Sequence, residues 1–286
     1  MEKIDKLKKI FKRENIDGYI VPKNDEFFSE YVPDHSDRLK FISNFSGSYG
    51  FALILKDKNY LFVDGRYTLQ ASKQSGKFFN IITIPDKMPA DVLKTKKISI
   101  GFDPKLFTKQ SLNILFGKSK CTFKPLINNL IDEIWSRKVK INNYKFFALP
   151  EKSISEKYTT KINKIFNFLR KKKSDYLFVT ASENNAWLLN IRGRDSKYTP
   201  IPYSFILIDK NKNIKFFCDL NKLTLSLKNK FKKVNFLDIK TCDKKLSEIQ
   251  NKKFIIDKNS CSYFFEKKIS INNRILNFHD PIYFLK

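Results

Sequence analysis

The feature that most constrains this chain is a long-range repeat of its own pattern. Lys6-Leu7-Lys8-Lys9-Ile10-Phe11 leads into the apolar run Ile16-Asp17-Gly18-Tyr19-Ile20-Val21-Pro22. Much later, Lys161-Ile162-Asn163-Lys164-Ile165-Phe166 leads into Ser174-Asp175-Tyr176-Leu177-Phe178-Val179-Thr180. In both places apolar residues three and four apart predict a helix, and the short run after it predicts a buried strand. An apolar pair then stands before Asn44 and again before Asn190, each followed three residues later by glycine, Gly47 and Gly193. Two strands joined by a turn come next in each copy: 50–55 and 60–63 turning at 56–59, then 204–208 and 214–218 turning at 209–213. The Asp and Asn residues of those turns bond nearby backbone and tolerate left-handed conformations. One order of elements met twice predicts two copies of one domain.

Each copy continues with alternating elements. The first reads as a helix over 68–74, strands over 80–84 and 98–103, and a helix over 109–116. The second reads as strands over 234–239, 254–257 and 274–278, with helices near 246–250 and 262–267. Strands alternating with helices predict an α/β fold, a mixed β-sheet covered by helices in each domain. A length of 286 residues suits two ordinary domains. The boundaries are placed at 1–136 for domain I and 154–286 for domain II. Residues 137–153 are polar, carry Pro150 and lack periodicity, and are read as the linker.

The formal net charge of +27 raises nucleic acid as a partner. Against it, only eight of the basic residues are arginine, the side chain that forks onto phosphates and guanine edges. The lysines are spread along the chain beside abundant Asn, Ile and Phe, as A- and T-rich codons produce, so no nucleic-acid partner is expected. The run Arg170-Lys171-Lys172-Lys173 closes a predicted helix, where it complements the negative end of the dipole. Cys121, Cys218, Cys242 and Cys261 form no CxxC pair, and the first residues open an amphipathic helix rather than an apolar signal core. These features lead us to expect reduced thiols in a cytoplasmic protein. No apolar run approaches the roughly 20 residues that span a bilayer, and no membrane partner is expected.

The inventory of reactive groups is thin. The only histidines are His35, in the polar loop Asp34-His35-Ser36-Asp37, and His279, at a strand end. There is no G-x-S-x-G elbow, Walker loop or G-x-G-x-x-G, and eight glycines leave little for a phosphate cradle. Asp132-Glu133 reads as the wet face of a helix. Two clusters rise above this background. Val63-Asp64-Gly65-Arg66-Tyr67 places an acid and an arginine where a strand enters a helix. It reads as an Asp cap with an ion pair, or as a rim contact to a peptide or partner subunit. The stretch 183–195 ends with Arg192 and Arg194, a pair suited to a carboxylate, with Asp195 as their nearest internal partner and Trp187 in the core.

Those clusters also carry a family resemblance. Ser29-Glu30-Tyr31, then Arg38 with Phe41-Ile42-Ser43-Asn44-Phe45-Ser46-Gly47-Ser48, then Phe62-Val63-Asp64-Gly65-Arg66-Tyr67-Thr68-Leu69-Gln70-Ala71, resemble the first creatinase-like domain of three-domain Xaa-Pro aminopeptidases. Ala186-Trp187-Leu188-Leu189-Asn190-Ile191-Arg192-Gly193-Arg194-Asp195 with Pro200 resembles their second domain, and Asp280-Pro281-Ile282 the approach to the third. The resemblance implies two tandem creatinase/prolidase N-terminal-like domains. It places the chemistry in a C-terminal pita-bread domain, where two Asp, two Glu and a His hold two manganese ions. That domain is expected to be absent from this chain, which then holds no cofactor, no metal ligand and no catalytic residue. The implied role is supporting: shaping a cleft that admits short proline-containing peptides, meeting the missing catalytic domain, and contributing subunit contacts in a homodimer. Arg38, Asp64, Arg66, Arg192 and Arg194 are the candidates for a cleft rim or interface. The alternative is a stand-alone peptide- or protein-binding module, with nucleic-acid binding third.

Overall fold

A computed structural model describes residues 2–137 and 142–286. The described chain divides into two compact units. Unit 1 holds residues 2–26 and 32–137, and unit 2 holds 27–31 and 142–286.

Unit 1 runs α1 (Glu2–Glu14), β1 (Gly18–Pro22), α2 (Arg38–Ser43), β2 (Gly50–Leu55), β3 (Asn59–Asp64), α3 (Thr68–Ser75), β4 (Asn80–Ile84), α4 (Pro89–Leu93), β5 (Ser99–Phe102), α5 (Lys109–Phe116), β6 (Thr122–Pro125) and α6 (Leu130–Ile134). Its sheet has the order β4-β3-β2-β1-β5-β6. The β1/β2 and β2/β3 pairs are antiparallel, and the other three are parallel. Ile4, Leu7 and Phe11 of α1 are buried in the same cluster as Tyr19, Val21, Ala52 and Ile54. These are alternate residues of β1 and β2, as the two-residue period of a strand requires.

Unit 2 runs β7 (Phe147–Ala148), α7 (Tyr158–Lys171), β8 (Tyr176–Val179), α8 (Ser182–Leu189), β9 (Ile191–Arg192), β10 (Phe205–Asp209), β11 (Ile214–Cys218), α9 (Leu225–Lys230), β12 (Val234–Asp238), α10 (Cys242–Ser247), β13 (Lys253–Ile256), α11 (Tyr263–Ser270) and β14 (Arg274–Asn277). Its main sheet is ordered β12-β11-β10-β8-β13-β14. The pairing directions repeat those of unit 1: β8/β10 and β10/β11 antiparallel, the rest parallel. The repeat read in the sequence is thus a repeat of topology.

Both faces of this second sheet are covered, which explains why its strands are near-continuous apolar runs. Leu177, Val179, Ile206, Ile208 and Ile255 share a cluster with Ile162, Ile165 and Leu169 of α7. The intervening Phe178, Phe205, Leu207, Phe254 and Ile256 pack with Cys242, Leu246 and Ile269 of α10 and α11. Burying each such side chain contributes roughly 1.5–3 kcal/mol.

Some elements differ from the sequence expectation. The predicted linker contains β7, which pairs antiparallel with β9. Beside it Phe146 is buried and its backbone N–H donates to the Lys222 carbonyl at 2.8 Å. A two-residue strand is too short to show a period, so polarity hid it. Residues 138–141 of that linker lie outside the described residues. The helix expected near 246–250 is α10, which starts at Cys242 immediately after a 3-10 turn capped by Asp238. Short elements α4, β6 and α9 carry no sequence period long enough to read.

Candidate functional site

In unit 1, β3 ends at Asp64, whose Oδ1 accepts from the Arg66 backbone N–H at 2.9 Å and from its Nε at 2.8 Å. The Arg66 side chain holds the Asp64 carboxyl below its ordinary range. The same cap recurs in unit 2, where Asp219 Oδ1 accepts from the Asn221 N–H at 3.0 Å after β11, with no arginine following. The aspartate is therefore part of the fold, and the arginine is the addition. Its side chain is 73% exposed. Around it, Tyr67 Oη and Ser48 Oγ are 2.7 Å apart, and Gln70 and Gln74 both donate to Ser46 Oγ, at 2.9 and 3.0 Å. Those bonds tie the 44–50 loop to α3. A Cβ on Gly47 would lie 2.2 Å from the Phe45 ring, so this loop accepts only glycine there.

Arg38 lies elsewhere in unit 1 and is almost fully buried. Its Nε and Nη2 donate to the two Asp132 oxygens at 2.8 Å each, and Nη2 also donates to Glu26 at 2.7 Å. Asp132 additionally accepts from Arg137 at 2.7 Å. Burial alone would raise the Asp132 carboxyl, but the two guanidiniums hold it below its ordinary value. This corrects the reading of Asp132-Glu133 as a merely wet helix face. Asp132 is bound by two arginines, and Glu133 accepts from Arg13 at 2.7 Å. Arg38 is thus an internal tie between α2 and α6.

In unit 2 the arginine pair is divided. Arg192 is half-buried and its Nη1 donates to the Ala186 and Ile191 carbonyls at 2.7 and 3.1 Å, closing the end of α8; burial lowers its pKa. Arg194 is exposed and lies over the Tyr144 ring, 4.9 Å from its centroid. Asp195 partners neither. Its oxygens accept from Lys222 Nζ at 2.5 Å and from the Tyr203 N–H at 2.8 Å. The sequence expectation erred because the nearest cation in the chain is not the nearest in space.

Two groups were missed. Lys161 is 2% exposed and its Nζ donates to the Trp187 carbonyl and Asn190 Oδ1, both at 2.7 Å, so it caps the end of α8 from below. Burial pushes its pKa down to about 8. Asp280 is 3% exposed; Oδ2 accepts from Asn184 Nδ2 at 2.5 Å and Oδ1 from the Ile282 N–H at 2.9 Å. Burial pushes it up to about 6, against those two bonds. Its own N–H donates to Asp257 Oδ2 at 2.9 Å. Unit 1 has the matching arrangement with an amide: Asn129 Oδ1 accepts from the Ile131 N–H at 2.9 Å, and its Nδ2 donates to Asp103 Oδ2 at 2.8 Å. The signal available in the sequence was that correspondence, which the divergent loops obscured.

Metal and thiol chemistry find little here. Among the described residues no three His, Cys, Asp or Glu side chains are placed to hold a metal ion. His279 Nδ1 is 4.0 Å from Asp257 Oδ2 with its ring two-thirds exposed, and His35 sits in a 3-10 turn where burial and then Arg137 lower its pKa. The manganese pair implied by resemblance does not fit these residues. Burial pushes the Cys218, Cys242 and Cys261 thiols well up, away from the reactive thiolate.

Family models described as the creatinase/prolidase N-terminal domain match residues 3–134 and 137–286. A probable Xaa-Pro aminopeptidase P of Coprinopsis cinerea is 34% identical over 222 residues, covering 73% of this chain and 35% of that protein. Another, from Pyrenophora teres, is 28% identical and covers 98% of this chain and 46% of that protein. The crystal structure of an X-prolyl aminopeptidase from Caenorhabditis elegans, described as a cytosolic enzyme with a di-nuclear active site, superposes with a TM-score of 0.88 at 25% identity. It covers 97% of this chain and 50% of that one. The chain thus spans about a third to a half of the length of the relatives it matches.

Proposed function

The chain belongs to the creatinase/prolidase N-terminal domain family in both of its halves, and on that premise we propose that it is the non-catalytic amino-terminal portion of a Xaa-Pro aminopeptidase. The observation that carries this reading is one of extent. Two such domains fill residues 3–286, while the matched aminopeptidases are two-thirds or half unaccounted for by them. In this reading the chain supplies walls and contacts, and the metal ions and the cleavage before proline belong to the remainder of the enzyme. It limits access to short peptides and contributes to subunit contacts, in a cytoplasmic setting like that described for the Caenorhabditis elegans enzyme.

The candidate residues divide accordingly. Arg38 and Arg192 are spent on internal carboxylates and carbonyls. Arg66 and Arg194 keep exposed heads on fixed bases, which suits a contact to a peptide carboxylate or a neighbouring subunit. The test is a peptidase assay on the purified chain with manganese and an Xaa-Pro peptide. No turnover is expected. Hydrolysis at a specific activity that stays constant through repurification overturns the proposal.

A further inference from the structure

Five connecting segments of unit 2, residues 171–175, 209–213, 230–233, 250–253 and 271–274, gather at one end of its main sheet. The register places them there: Asp209 is paired with Tyr176, Tyr176 with Phe254, and Lys253 with Arg274, while Ile214 pairs with both Ile208 and Val234. Together these segments carry eleven lysines and arginines and two carboxylates. Both carboxylates are already engaged. Asp175 pairs with Lys210 at 2.8 Å and accepts from the Lys253 N–H, and Asp209 accepts from Asn211 and Asn213 within its turn. Lys173, Lys212, Lys233 and Lys252 are exposed and form no ion pair with the described residues.

The opposite ends of the same strands bear Glu183, Asp195, Asp219, Asp238, Asp257 and Asp280 beside Arg194, Lys197, Lys222, Lys240 and Lys258, so acids and bases there are in near balance. A compositional excess of lysine would load both ends alike, so composition does not explain the segregation. At the basic end Ile271 projects from the loop entering β14 with 65% of its surface exposed.

We propose that this end of unit 2 docks on an anionic lipid surface. Ten of the eleven cations are lysine, compact charges that suit scattered headgroups, whereas nucleic-acid recognition draws on the arginine fork. Six strands at about 4.8 Å spacing make a face about 24 Å wide, enough to meet several headgroups at once. Ile271 supplies the apolar tip that such a face inserts at the acyl boundary. A peripheral contact of this kind needs no spanning segment, and among the described residues no helix is long and apolar enough to cross a membrane.

The experiment is sedimentation of the full chain with vesicles of phosphatidylcholine alone or with about a third phosphatidylserine, at about 0.1 M salt. Binding to the mixed vesicles only, weakening as salt rises, is expected. Neutralising one lysine at this end weakens partition roughly fivefold. K173E/K252E therefore abolishes binding, whereas K240E/K258E, of equal net charge but placed at the other end, leaves it unchanged. Ile271→Asp also lowers it. The proposal is overturned if the two double variants lose binding equally, if both vesicle types bind alike, or if single-stranded RNA at equal phosphate concentration displaces the vesicles completely. Matching thermal midpoints for the variants establish that they remain folded.

Discussion

Replacing Asp280 by Asn should stabilise unit 2 at neutral pH, an uncommon direction for a buried, hydrogen-bonded aspartate. The carboxyl is 3% exposed, and burial lifts it to about 6 from an ordinary value of 3.8. A carboxyl raised in the folded state contributes stability that is full below the unfolded pKa and is lost as pH rises through the folded one. Here that window runs from about pH 4 to about pH 6, and the roughly two-unit displacement corresponds to about 3 kcal/mol by pH 7. An asparagine escapes that loss. Its Oδ1 can keep accepting from Ile282, and its new amide donor faces Asn184, whose side-chain amide must turn over so that its Oδ1, now buried without a partner, accepts where Nδ2 donates. Asn129 already occupies the corresponding place in unit 1. Giving up a charge-assisted bond to Asn184 offsets part of the gain, which leaves about 1–3 kcal/mol. Urea unfolding of the Trp135→Phe chain, followed through Trp187 in unit 2, reads this directly. The difference between Asp280→Asn and its parent should be near zero at about pH 4 and grow to a plateau by about pH 7.5. A difference that does not vary with pH, or a variant less stable at the upper end, refutes the reasoning.

Arg38→Met should destabilise unit 1 by about 2–3 kcal/mol, less than for a fully buried pair because Asp132 keeps Arg137 and its carboxylate is a third exposed. Trp135 fluorescence in a Trp187→Phe background measures it, and an unchanged midpoint contradicts the internal-tie assignment. Lys161→Met takes the donor from Asn190 Oδ1 and leaves the Trp187 carbonyl with the longer Asn190 N–H bond at 3.3 Å, and should cost about 1–3 kcal/mol, read as a lower urea midpoint for unit 2. In the native chain Ellman's reagent should label the half-buried Cys121 quickly and the three buried thiols only on unfolding. Rapid loss of two or more thiols contradicts their burial.

The architecture was legible because its signals are local. Apolar spacing marks α1 and α7 on either side of the repeat, and Asp and Asn mark the turns that join β2 to β3 and β10 to β11. The site was legible only in part. Asp64 read correctly as a cap, since the cap is made with a residue two positions away. Asp195 did not read correctly, because its partner Lys222 comes from a distant loop that the fold brings within 2.5 Å. Asp280 entered the sequence reading only as part of Asp280-Pro281-Ile282, with no role of its own. What distinguishes it is burial under α8, a property of packing that no spacing encodes. Lys161 was hidden for the same reason: on a lysine-rich helix one lysine faces inward, and the charge pattern gives it no mark.

The shared strand order has a consequence for experiment. Where the two halves align, the chain already contains tolerated substitutions on a matching backbone: Asn129 against Asp280, Thr108 against Ser262 as helix caps, Arg66 against Asn221 after the shared aspartate at the end of the hairpin. Each half is therefore a reference for the other. A residue exchanged between them enters a frame known to accept it, and any penalty measures how far the two neighbourhoods have since drifted apart.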